Sequence, residues 1–264
     1  MPEQSQTAAT TSSSTVSIGR LTGLLEGFGL KHSARDLPDI LEKAELNELT
    51  FREFSLELLL TEARGRNERR RKRNYAAAHF PPDIRSIDEF DISELESGIT
   101  EGQIKRLKEL NWIDTHGNII FAGPPGLGKT MLACGLGLEA INNGYTVCFE
   151  RMANFVSIMD KAAAGDRSSG FRLKNILKAQ LVLIDEIGYT PISRSQANRF
   201  FTFISNCYRT TSVIFTTNKQ VSEWAEVMGD ADLTGAMLDR ILSHAACFSL
   251  KGDSYRLKHP ELFI

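Results

Sequence analysis

The 264-residue sequence predicts an α/β domain, a parallel β-sheet covered by helices on both faces, preceded by a small all-helical domain. Three observations point there. Beyond about residue 84, short apolar runs alternate with helical segments, the pattern of a parallel sheet buried on both sides. A glycine-rich loop, Gly123–Thr130, stands between the first of these runs and a helix. Ahead of residue 80, by contrast, apolar positions recur at helical spacing.

Taken in order, residues 1–18 are rich in Ser, Thr and Ala and are expected to form a disordered tail. Amphipathic segments follow at about 20–31 and 36–46, with Asp36 read as an N-cap ahead of Pro38. Thr50-Phe51-Arg52-Glu53 has the capping-box spacing, in which Thr and Glu satisfy each other's orphan backbone donors. It opens a helix with apolar positions Phe51, Phe54, Leu58 and Leu59, extending to about Ala78 before Pro81-Pro82 stops it. The expected organisation is therefore a tail over 1–18, a helical domain over 19–80 and an α/β domain over 81–264.

Composition narrows the class. No stretch has the roughly 18 uninterrupted apolar residues of a membrane span. A signal peptide is not evident, and four scattered cysteines without a CxxC pair fit a reducing cytoplasm rather than a zinc site or disulfide scaffold. The net charge is −2, which by itself disfavours a polyanion partner. The charge is unevenly distributed, however. Arg64, Arg66, Arg69, Arg70, Arg71, Lys72 and Arg73 against Glu68 give residues 64–73 a local +6, leaving −8 on the other 254. That run is either the solvated face of a helix or a contact to a phosphate backbone, where each neutralised phosphate releases a counterion.

Five runs read as strands: Asn118–Ala122, Thr146–Phe149, Leu181–Ile184, Val213–Thr216 and Cys247–Leu250. After the first comes Gly123-Pro124-Pro125-Gly126-Leu127-Gly128-Lys129-Thr130, which fills every fixed position of GxxxxGK[ST], with Met131 continuing into a helix. In such a loop the backbone N–H groups close around phosphates and the helix N-terminus adds partial positive charge. The chemistry is that of ATP: Lys129 reaches the β- and γ-phosphates and the Thr130 hydroxyl ligates Mg²⁺.

The run Leu181–Ile184 leads into Asp185-Glu186. An acid at the end of a buried strand beside a phosphate loop suits Mg²⁺, so Asp185 joins Thr130 as a metal candidate. Glu186 suits a general base for the attacking water. The strand between the two motifs separates the chain from nucleotide kinases and small GTPases. Asn218, at the end of Ser212–Asn218, either faces the γ-phosphate or is there for its turn chemistry.

The phosphate loop, LVLIDEIG, IFTTN and GAMLDRIL together resemble the AAA+ ATPases of the IstB/DnaC/DnaI group, over about residues 20–258. Within that group the sequence is most similar to the IstB-like transposition helper ATPases, through the basic RRRKR helix, SIDEFD and the Asn-Trp-Ile before the first strand. The resemblance implies an ATP- and Mg²⁺-dependent ATPase that self-assembles as a ring or spiral on duplex DNA with little sequence preference. It also implies a DDE-type transposase, encoded by the same element, as partner. A replicative-helicase loader is the alternative within the group. The resemblance further implies that Arg240 is a finger reaching a neighbouring subunit's nucleotide, against an intramolecular pairing with Asp239 or Asp232; Arg256 resembles a recurring family element. Only about 14 residues follow Leu250, too few for a helical lid.

Besides the 64–73 run, residues 161–174 are a candidate DNA contact. Lys161, Arg167, Arg172 and Lys174 alternate there with Gly165, Ser168, Ser169 and Gly170, which reads as a flexible cationic loop against phosphate oxygens or as a solvated surface loop.

Overall fold

A computed structural model describes residues 17–189 and 191–258. Of the expected 1–18 tail, only Ser17 and Ile18 fall within these; Ser17 caps α1 (Ile18–Gly27), accepting a hydrogen bond from the Arg20 amide. The helices that follow are α2 (Lys31–Leu46) and α3 (Phe51–Ala78). Helix α2 begins five residues earlier than the expected 36. Asp36 therefore lies inside it, paired with Arg35 rather than capping, and Pro38 is accommodated within the helix. The capping box of α3 is present: the Thr50 amide donates to Glu53 at 2.8 Å and the Glu53 amide to the Thr50 hydroxyl at 3.4 Å.

The chain divides into two compact units between Arg70 and Arg71, inside α3 and ahead of the expected boundary between residues 80 and 81. The reason lies in the last turns of that helix. Asn74 is buried and donates to the Tyr145 carbonyl at 3.0 Å, and Ala78 is fully buried in the core of the larger unit.

In the smaller unit, α2 packs against α3 around Glu62. This buried carboxylate accepts from the His32 amide at 2.7 Å and the Ser33 amide at 3.1 Å, while Arg66 binds its other oxygen at 2.7 Å. Burial alone would raise its pKa; Arg66 and the two amides outweigh that and hold it below the usual value. Of the four apolar positions read from the sequence, Phe51 and Leu59 are exposed, and Phe54 and Leu58 are partly buried.

In the larger unit come α4 (Glu101–Lys108), α5 (Asn111–Asp114), β1 (Asn118–Ala122), α6 (Lys129–Asn142) and β2 (Val147–Arg151). Next are α7 (Met152–Ala163), α8 (Arg167–Lys178), β3 (Leu181–Ile187), α9 (Arg194–Cys207) and β4 (Ser212–Thr217). The unit ends with α10 (Trp224–Met228), α11 (Ala231–Leu242), β5 (Ala245–Ser249) and α12 (Tyr255–Lys258). The five strands form one parallel sheet in the order β2-β3-β4-β1-β5.

Strand side chains alternate between faces, and both faces are buried. Ile119, Phe121, Leu181, Leu183 and Ile214 join α6 in one core, whereas Ile120, Val182, Ile184, Val213 and Phe215 join α7 through α11 in the other. Crossovers that place helices on both faces leave the C-terminal strand ends open as a common rim. After β5, the described residues contain the four-residue α12. No described helix is long and apolar enough to cross a membrane.

Candidate functional site

The site lies where β1, β3 and β4 end. The loop from Gly123 to Gly128 turns the chain from β1 into α6. Gly126 and Gly128 sit at φ +85° and +77°, and flank Leu127, which is buried. Neither position tolerates a side chain. A Cβ on Gly126 would come 2.1 Å from the Ser254 hydroxyl, and one on Gly128 would come 2.6 Å from the Phe90 ring. Such alternation of left- and right-handed backbone turns successive N–H groups inward, forming an anion nest at a helix N-terminus.

Lys129 opens α6 and is only 7% exposed. Its ammonium donates to the carbonyls of Gly123 and Pro124, each at 2.7 Å. Burial lowers its pKa to about 8, with Asp185 opposing the shift and Arg256 adding to it. A phosphate entering the nest therefore meets an amine whose cost of burial is already imposed by the fold.

Thr130 and Asp185 meet across the rim. The hydroxyl donates to Asp185 Oδ1 at 2.8 Å, and the same oxygen accepts from Thr216 on β4. Asp185 is 2% exposed. One carboxylate and one hydroxyl, both hard oxygen donors beside a phosphate nest, suit Mg²⁺, which takes few protein ligands and completes its shell with phosphate oxygens and water. Among the described residues no group of three or more His, Cys, Asp or Glu offers an alternative metal cage.

Glu186 follows at φ +62°, a left-handed conformation costly for a residue with a side chain. A register shift between Ile184 and Ile187 makes room for it, and its amide donates to the Thr216 hydroxyl at 3.0 Å. The conformation leaves the side chain half exposed next to the buried Asp185, with Arg151 of β2 at 3.9 Å. An exposed carboxylate beside a metal-suited one can accept a proton from water.

Two neighbours of this rim, Thr216 and Arg151, escaped the sequence reading. Thr216 joins Asp185 and Glu186; its only signal was a buried polar residue at a strand end. Arg151 was silent, since nothing local links it to Glu186, 35 positions away. Arg256 lies close enough to Lys129 to depress its pKa, and the adjacent Tyr255 amide donates to the Gly126 carbonyl at 3.0 Å. Asn218 is exposed one residue beyond β4. Arg240 lies on α11, its guanidinium 4.8 Å from the Phe201 ring and bonded to the Ala236 carbonyl at 2.7 Å. Neither Asp239 nor Asp232 pairs with it among the described residues.

The cationic candidates separate into groups. Arg69, Arg70, Arg71, Lys72 and Arg73 are exposed on α3. Arg64 and Arg66 are exposed too, but paired with Glu57 and Glu62. Residues 161–174 do not form a loop. They belong to α7 and α8, with Ala164–Asp166 between, because Asp166 caps α8 by accepting from the Ser169 amide at 2.7 Å. Lys161, Arg167 and Lys174 remain exposed. Arg172 does not fit the DNA set: it is buried against Glu150 at 2.7 Å and bonds the Phe149 carbonyl at 3.1 Å.

The chain matches the family model described as IstB-like ATP binding protein over residues 23–262. A Pseudomonas aeruginosa relative, named as an ATP-binding protein of insertion sequence IS21, is 34% identical, with 90% of this chain and 89% of that one covered. A Bacillus thuringiensis subsp. berliner relative named for IS232 is 36% identical, with 90% and 94% covered. Among solved structures, the DnaC helicase loader shares the fold at TM-score 0.51 and 17% identity, covering 68% of this chain and 99% of that one. AMPPCP-bound DnaA from Aquifex aeolicus does so at TM-score 0.54 and 19% identity, covering 69% and 56%. With its phosphate loop, five-stranded parallel sheet and helical N-terminal region, this chain has the AAA+ P-loop fold and belongs to the IstB-like ATP-binding protein family of insertion sequences.

Proposed function

We propose that this protein is an Mg²⁺-dependent ATPase that assembles on duplex DNA with little sequence preference and presents that DNA to the DDE-type transposase of its own element. The observation that carries the ATPase reading is the Thr130–Asp185 contact at 2.8 Å beside the phosphate nest, with Glu186 turned outward next to it. The insertion-sequence relatives, at 34% and 36% identity, favour a transposition helper over a helicase loader, which the chain resembles only in fold.

In this reading the amides from Gly126 to Thr130 cradle the phosphates, and Lys129 turns from the Gly123 and Pro124 carbonyls toward the β- and γ-oxygens. Thr130 and Asp185 would hold the magnesium ion, which would supply charge neutralisation on the phosphates. Glu186 accepts the proton of the attacking water. Asn218, just after β4, and Arg256 of the C-terminal segment contact the triphosphate, and Arg240 serves a neighbouring subunit. Exposed cations at 64–73, together with Lys161, Arg167 and Lys174, hold the duplex through its phosphates, which positions the protein without reading sequence. Hydrolysis then releases the assembly.

Two variants test the scheme. Lys129→Ala is expected to abolish nucleotide-dependent assembly on DNA; unchanged ATP-stimulated assembly would remove the mechanism. Glu186→Gln is expected to trap the ATP-bound complex, and dissociation as fast as the parent's would remove Glu186 as the base.

A further inference from the structure

Arg209 and Arg240 line one crevice with His116 and His244. The crevice lies at the N-terminal edge of the sheet, among the segments that enter β1, β4 and β5 and the last turn of α11. No carboxylate lines it. Each guanidinium is held against an aromatic ring, Arg209 at 5.2 Å from Tyr208 and Arg240 at 4.8 Å from Phe201. Among the described residues neither arginine forms an ion pair. The crevice holds only about 10 Å³, room for one water at most. The two guanidiniums, without an acidic partner and flanked by two histidines, therefore offer donors to a polyvalent oxyanion docked at its mouth.

The chain's own phosphate nest is out of their reach. It follows the opposite end of β1, and the five residues of that strand span roughly 15 Å at about 3.3 Å each. An anion at the crevice mouth therefore comes from outside the chain. A head-to-tail contact between identical copies joins two different surfaces of the subunit and propagates as a ring or filament. A contact of this kind between the N-terminal sheet edge of one copy and the phosphate rim of the next would supply such an anion.

We propose that Arg209 acts with Arg240 as a second trans contact, the two guanidiniums together gripping the terminal phosphates of ATP held by a neighbouring copy. The proposal rests on the trans role given above to Arg240. Charge on the transferring phosphoryl group is spread over three equatorial oxygens, so a second guanidinium stabilises what one alone leaves exposed. Catalysis then requires a correctly seated neighbour, and turnover depends on assembly.

The test uses the full-length protein with Mg²⁺-ATP and duplex DNA. Arg209→Ala is expected to bind a fluorescent ATP analogue like the parent at concentrations below assembly, while turnover in the assembly falls about tenfold or more. Arg209→Lys is expected to recover part of the loss, and thermal melting verifies that both variants fold. Mixing supplies the decisive measurement. Glu186→Gln subunits keep Arg209 and stay in the assembly but do not turn over, whereas Arg209→Ala subunits keep the site and lack the contact. In a 1:1 mixture about one quarter of the sites pair a working site with an intact neighbour, so turnover is expected to rise above either variant alone toward that fraction.

Three results would overturn the inference: parental turnover by Arg209→Ala, no recovery on mixing, or weakened DNA binding by Arg209→Ala without nucleotide. The last would assign the crevice to DNA phosphates. Mixing Arg240→Ala with Glu186→Gln separates the two readings. Recovery there but not with Arg209→Ala rejects Arg209 alone, and failure in both mixtures rejects the trans role of Arg240 as well.

Discussion

The Arg172 guanidinium lies 2.7 Å from the Glu150 carboxylate, with side-chain exposures of 13% and 6%. It also bonds the Phe149 carbonyl at 3.1 Å and the Ala77 carbonyl at 3.0 Å, tying α8 to β2 and to the end of α3. Removing one partner of a buried pair leaves the other charge uncompensated, a loss of about 3–5 kcal/mol. Arg172→Ala is expected to lose that much in denaturant unfolding, and any fall in DNA binding should follow the folded fraction. Parental stability with a reduced salt dependence of DNA binding would return Arg172 to the DNA surface.

Much of this was legible in the sequence. Alternating apolar strands separated by helices fixed the sheet class, because side-chain period and burial are local properties of a strand. The phosphate loop, Asp185 and Glu186 were legible because their chemistry demands a fixed spacing. Arg172 was not, since its partner Glu150 lies 22 residues away and only tertiary packing joins them. The same is true of α8. Gly170 and two serines suggested a loop, but Asp166 caps the segment and buried Ile176 secures it to the core, overriding weak propensity.

Lys129 gives a pH prediction with a definite sign. In the nucleotide-free protein its pKa is lowered to about 8, mainly by burial. Bound phosphates favour the charged form and raise that value again. Binding between pH 8 and 9 is therefore accompanied by proton uptake, and affinity is expected to fall up to about tenfold per pH unit above 8. Below pH 7 the amine is charged in both states and this dependence disappears. Calorimetric titration in buffers of differing ionisation enthalpy reads the uptake directly; identical enthalpies at pH 8.5 would contradict the assignment.

Gly65 offers a test of the smaller unit. Replacing a mid-helix glycine by alanine ordinarily stabilises by about 1 kcal/mol. Here a Cβ would come 2.1 Å from Cγ of the His32 ring and 2.7 Å from its Cβ, atoms that cannot swing aside as a flexible chain end can. The sign is expected to reverse, with Gly65→Ala destabilising by about 1–3 kcal/mol through overpacking of α2 on α3. Nucleotide affinity, which depends on the other unit, should be unaffected. A raised melting temperature would show that the helices separate freely at this point.

The basic run of α3 makes a prediction about salt. Its cations are exposed from Arg69 to Arg73, but five consecutive residues go more than once around a helix of 3.6 residues per turn, so only about two or three can face one duplex. Each phosphate neutralised contributes about 0.9 to the slope of log affinity against log salt. Replacing all five by Gln is therefore expected to reduce that slope by about 2–3 rather than the 4–5 that five contacts would give. The measurement is duplex affinity across a salt series with ATP bound. An unchanged slope would make the run a solvated helix face and leave DNA contact to Lys161, Arg167 and Lys174. A reduced slope with unchanged nucleotide affinity would explain how a chain of net charge −2 holds a polyanion: seven cations are concentrated in ten residues, and the balancing acids lie elsewhere.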